Sequence, residues 1–146
     1  MNIFFDVDYT ILAVDNSLRP GTRDIFEKLV ADGHKVYIWS GVGIRTAEVR
    51  RHKLDDIVSG VYQKPIEDFE AGLVTWGVKV RPDFVIDDHP EIVTCFGGFI
   101  CRPYYFRNPD DDEMQQIYDT VRQLTNGGRP EHTAFRPGAA GDSNGP

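Results

Sequence analysis

The chain has 146 residues, 40% hydrophobic and 27% charged, the length and composition of one globular domain with a conventional core rather than of a disordered or fibrous chain. Its formal net charge of −7 argues against nucleic acid as a partner, because affinity for polyanions comes from lysines and arginines that neutralise phosphates. No apolar run approaches the roughly 20 residues of a membrane-spanning helix, and the opening Met1-Asn2-Ile3-Phe4-Phe5 lacks the basic start and cleavage site of a signal peptide, so a cytoplasmic location without a membrane partner is expected.

Residues 2–5 form a short apolar run ending in acids, the pattern of a buried parallel strand that delivers Asp6 at its carboxyl end. Pro20 and Gly21 then precede a helix over 22–31, where Ile25, Phe26, Leu29 and Val30 recur at helical spacing and Asp32-Gly33 supplies the stop. A second β-rich run over 35–39 ends at Ser40-Gly41 and leads into a polar helix from about Ile44 to Lys53. Its charge run, Arg45, Arg50, Arg51, His52 and Lys53, reads as a solvated face. A third strand over 57–62, a third helix over 66–76 and a fourth strand over 83–86 follow, the last running straight into Asp87-Asp88. After His89-Pro90 come a short helix through Thr94, a fifth strand near 99–102 and a last helix over 110–124, with Met114, Ile117, Tyr118, Val121 and Leu124 on one stripe.

This alternation predicts an α/β three-layer sandwich whose doubly wound, mainly parallel sheet is joined by right-handed crossovers. Five glycines and three prolines fall in residues 127–146, so the domain is expected to end at 126 and the rest to be a flexible tail. Cys95 and Cys101 have no metal-ligand spacing and are expected to be ordinary reduced thiols.

In such a sheet ligands bind beyond the carboxyl ends of the strands, so the residues just after each strand carry the information. The first strand ends in Asp6, Asp8 and Thr10, the second in Ser40, the segment after the third offers Lys64, and the fourth ends in Asp87 and Asp88. Asp6 and Asp8 lie two apart in extended chain and face one cavity. Their mutual repulsion would raise one pKa, and a divalent cation reaching toward Asp87 would keep both ionised; an all-oxygen donor set suits magnesium. A carboxylate can attack phosphorus to give an aspartyl-phosphate, splitting one displacement into two. A second carboxylate can move the protons, while a lysine and a hydroxyl neutralise the transferring oxygens.

Each residue alone has an ordinary reading: Ser40 as a cap, Lys64 as a solvated lysine, Asp88 as an N-cap before Pro90. Their order along the chain is what carries the chemistry. An apolar strand into Asp-x-Asp-x-Thr, a strand into Ser, a lysine, and a strand into an acid pair resembles the haloacid dehalogenase superfamily over roughly residues 1–105. The resemblance implies a Rossmann-like core and a magnesium-dependent phosphatase, a phosphoric monoester hydrolase with an aspartyl-phosphate intermediate. In it Asp6 resembles the nucleophile and Asp8 the general acid/base. Asp6, the Asp8 main-chain carbonyl and Asp87 resemble the metal ligands, and Asp88 orients Lys64 or a metal-bound water. Thr10, Ser40, Gly41 and Lys64 resemble the family's phosphate-binding residues. Tyr9 stands where many members have glycine, a form similar to the family's magnesium-dependent phosphatase branch. The gaps 9–22 and 41–64 leave no room for a cap domain, which implies an open site and a phosphorylated small molecule or phosphoprotein as substrate.

Two rivals are weighed against this. A phosphorelay receiver domain places its acid pair first and its lysine last, whereas here Lys64 precedes Asp87-Asp88. A catalytically silent module binding a phosphorylated ligand or a protein partner would not need the complete set of acids.

Overall fold

In the computed structural model, which describes residues 1–139, six strands form one sheet flanked by five helices. Strand β1 (Asn2–Asp6) lies in the middle, and the chain moves outward through helix α1 (Thr22–Ala31), β2 (Lys35–Ser40), α2 (Thr46–Arg51) and β3 (Gly60–Gln63). Helix α3 (Phe69–Thr75) returns it to the other side of β1, where β4 (Phe84–Asp87), α4 (Pro90–Phe96) and β5 (Gly98–Ile100) follow. The order β3-β2-β1-β4-β5 is parallel throughout. Among the described residues no helix is long and apolar enough to cross a membrane.

Alternation along β1 shows why the sheet is covered on both faces. Ile3 and Phe5 point into one core with Ile25, Phe26 and Leu29 of α1, Val49 of α2, and Met114, Ile117 and Val121 of α5 (Glu113–Thr125). Phe4 points to the other, with Tyr37, Trp39, Leu73 of α3 and Ile92, Val93 and Phe96 of α4. Both sets are removed from water, so neither face of β1 could carry a polar residue without cost. Between β4 and β5 the backbones come so close that a Cβ on Gly98 would lie 1.9 Å from the Val85 carbonyl oxygen; only glycine fits there.

Two expectations need correction. The third strand begins at Gly60 rather than at Ile57, because Ile57 and Val58 donate their N–H groups to Leu54 and close a turn. Packing does not stop at residue 126. Phe135–Arg136 forms β6, antiparallel to β5, and Ile100 N–H donates to the Ala134 carbonyl at 2.9 Å. The Phe99 and His132 rings lie 4.7 Å apart and Pro130 is buried. The Gly- and Pro-rich composition of the segment conceals this, since a two-residue edge strand needs no hydrophobic period of its own. Residues 140–146 of the expected tail lie outside the described residues. Both cysteines are free.

Candidate active site

Sheet order reverses direction between β1 and β4, and at such a switch point the loops on either side part and leave a crevice beyond the carboxyl ends of the strands. Phe5 pairs with Ile86, so the next residues, Asp6 and Asp87, are delivered side by side into that crevice. Lys64 follows directly on β3, its N–H donating to the Ser40 carbonyl at 2.9 Å. From there its Nζ lies 3.1 Å from Asp6 Oδ1 and 2.9 Å from Asp87 Oδ2. All three side chains are buried.

Burial and the Asp87 charge push the Asp6 carboxyl up to about 7 despite the opposing pull of Lys64. Burial works against the Lys64 charge, but Asp6 and Asp87 more than offset it and hold the ammonium above its ordinary range. Asp88 is also raised, by burial first and by Asp87 second. The cluster thus holds more negative charge than one lysine neutralises.

Asp6, Asp87, Asp88 and His89 bring four donor atoms within 4.8 Å of one another and could hold a cation. The donor chemistry fits. Asp88 Oδ1 is buried without a hydrogen-bond partner, a cost of about 1–3 kcal/mol unless something satisfies it. His89 Nδ1 is 3.3 Å away but is directed at Asp87 Oδ1, at 3.1 Å, which also accepts the His89 N–H at 2.9 Å. Burial opposes a charge on His89, yet the Asp87 hydrogen bond and the two carboxylates raise its pKa. Nothing in the sequence singled out His89, which looked like part of a helix start; it is the residue before Pro90, whose ring sets the first turn of α4.

The Asp8 carboxylate stands apart from this group. Its oxygen Oδ2 accepts from Arg45 Nη1 at 2.7 Å, and the same nitrogen lies 3.4 Å from Ser40 Oγ. Glu48 accepts from Arg45 Nε on the other side. Asp8 is 39% exposed and Arg45 only 15%. This corrects the reading of Arg45 as part of a solvated face: it precedes α2 instead of riding on its outer surface, and its guanidinium folds back into the crevice. The signal available was its position, five residues after Ser40 in a turn of Gly41-Val42-Gly43.

The hydroxyl and glycine expectations divide. Ser40 Oγ is buried and accepts from the Val42 N–H at 3.3 Å, bracing the turn rather than capping a helix. Gly41 N–H makes no hydrogen bond among the described residues and remains a free donor at the crevice. Thr10 has no accessible surface. Its hydroxyl donates to Asp6 Oδ2 at 3.3 Å and its N–H to the Val7 carbonyl at 3.2 Å, so it orients Asp6 and has no donor left for a phosphate. Tyr9, at φ 64, turns the chain sharply between Asp8 and Thr10.

Chemically, a buried carboxylate fixed on one oxygen by a hydroxyl and on the other by an ammonium has a defined direction of attack, whereas the Asp8 carboxylate, held apart on Arg45, is open to water. Comparison with models of protein families, with curated proteins and with solved structures gives no match to this chain, so the geometry of these residues is the guide to what they do.

Proposed function

We propose that the protein is a magnesium-dependent phosphomonoester hydrolase of the haloacid dehalogenase type, without a cap domain, that works through an aspartyl-phosphate on Asp6. The observation that carries this reading is the Asp6–Lys64–Asp87 arrangement: a buried nucleophile-grade carboxylate, oriented by Thr10, at the one point of the sheet where strand order reverses.

An ion held by Asp6, Asp87 and the Asp8 main-chain carbonyl, with Asp88 beside it, would supply positive charge to the phosphoryl oxygens. That carbonyl accepts no hydrogen bond among the described residues. Among the side chains, Asp6 attacks phosphorus as the bond to the ester oxygen breaks, and Asp8 gives its proton to that oxygen. Water then attacks the same phosphorus, Asp8 takes a proton from it, and the bond to Asp6 breaks to release phosphate and restore the carboxylate. Lys64 favours the ionised form of Asp6 against burial and the Asp87 charge and neutralises charge on the transferring group, while Gly41 N–H and Ser40 offer it hydrogen bonds. Arg45 holds Asp8 in place.

The test is hydrolysis of p-nitrophenyl phosphate with and without magnesium. Metal-dependent turnover that is lost in Asp6→Asn supports the reading. A folded protein with no turnover, or with equal turnover in Asp6→Asn, contradicts it and favours a silent binding module.

A further inference from the structure

Next to the carboxylate cluster the surface opens into a cleft of about 470 Å³ between the segment after β3 and the start of α4. Lys64 and His89 form its inner end, so the cleft and the candidate site are continuous. Its walls are apolar: Pro65, Ile66, Phe69 and Ile92. Ile66 is 72% exposed, yet it stands beside the turn that carries the free Gly41 donor, since a Cβ on Gly41 would lie 3.1 Å from Ile66 Cγ2. A large aliphatic side chain left in water at the mouth of a site gains most when a ligand covers it.

The unpaired charges of the cleft have one sign. Glu67 and Glu91 line it, both exposed and without an ion pair among the described residues. The two cationic lining residues are already committed, Lys64 to Asp6 and Asp87, His89 to Asp87. A leaving group carrying its own phosphate or carboxylate would meet two uncompensated acids and no free cation.

From this placement we infer that the cleft seats the leaving group of the ester, and that the preferred leaving group is apolar and carries no negative charge. The inference rests on the phosphohydrolase reading and narrows its substrate class; polyanionic metabolites are selected against. Ile66 and Phe69 cover the apolar body, and Glu67 and Glu91 reject anions.

Phenyl phosphate and 4-carboxyphenyl phosphate, compared with magnesium present, test the charge rule, and acetyl phosphate serves as a donor too small to fill the cleft. The expected kcat/KM is about tenfold higher for the neutral aryl ester than for the anionic one, with the gap closing to within about threefold in Glu67→Gln/Glu91→Gln. Ile66→Asp should lower kcat/KM for phenyl phosphate about tenfold more than for acetyl phosphate. Calorimetric binding of phenylphosphonate and 4-carboxyphenylphosphonate to Asp6→Asn reads the same preference without turnover. Equal kcat/KM and equal binding for the neutral and anionic members, unmoved by these variants, would overturn the inference even if every ester is hydrolysed. Loss of all hydrolysis with the binding preference intact would instead sink the phosphohydrolase reading and leave the cleft assignment standing.

Discussion

Asp6 and Asp8 are two residues apart on one strand end, yet the molecule treats them differently. Asp6 is buried, bonded on both oxygens, and surrounded by carboxylates and a lysine. Asp8 is half-exposed and tethered on one oxygen by an arginine from the neighbouring loop. The contrast matches two tasks. A nucleophile gains from a fixed direction and a dehydrated carboxylate, whereas a group that gives and takes protons needs access to water and enough freedom to follow the leaving oxygen.

The largest expected effect breaks the outer half. Asp8→Asn should slow turnover by about 10²- to 10⁴-fold while leaving magnesium protection against thermal unfolding largely intact, as steady-state kinetics and melting curves would show. Equal turnover in mutant and wild type would remove Asp8 from the mechanism.

The inner half is better probed by stability. Lys64→Met leaves Asp6 and Asp87 buried without their cation, and should cost about 3–5 kcal/mol in urea unfolding at pH 8 without magnesium. Added magnesium should recover part of that loss. A loss below about 1 kcal/mol would show that the three groups do not depend on one another.

A pH series sharpens the same point. With a folded-state pKa pushed up to about 7 from 3.8, Asp6 keeps a proton in the native state that the unfolded chain releases from about pH 4 upward. The cation-free protein should therefore lose stability as pH rises from about 4 to about 7, by a few kcal/mol, and then level off. Because a cation competes with that proton, the rise in melting temperature on adding magnesium should be small at pH 5 and large at pH 8. Asp6→Asn should flatten the slope; a slope unchanged in that variant would assign it to other groups.

Arg45→Met should have the smallest effect. The Arg45–Asp8 pair is partly exposed, so unfolding should shift by no more than about 1 kcal/mol. Turnover should fall about tenfold through loss of Asp8 positioning, read as a lower kcat with KM nearly unchanged. An unmoved kcat would make Arg45 a structural neighbour only.

Much of this was legible in the sequence. The strand runs of β1, β2 and β4 are apolar on both faces, and Asp6 and Asp87, which end β1 and β4, meet the Lys64 side chain, while Ser40, which ends β2, accepts the Lys64 N–H through its carbonyl. What was not legible depends on side-chain direction and on tertiary partners. Only its place just before α2, five residues after Ser40, sets the arginine that bends back to Asp8 apart from the arginines of α2 that face water, and nothing in Asp-x-Asp-x-Thr reveals that Thr10 is sealed beneath Asp6. His89 gains its place from the turn imposed by Pro90, and Phe135–Arg136 becomes a strand only because the β5 edge is there to pair with it.

The central claim is that Asp6 itself is phosphorylated. Acid quenching of the protein during incubation with p-nitrophenyl phosphate and magnesium, followed by peptide mass spectrometry, tests it most directly, and Asp8→Asn should raise the trapped fraction by slowing release. A phosphoryl mass increment on the peptide containing Asp6, absent in Asp6→Asn, is the predicted result. Magnesium-dependent turnover in both wild type and Asp8→Asn with no increment on that peptide, or with one on another residue, would contradict the account.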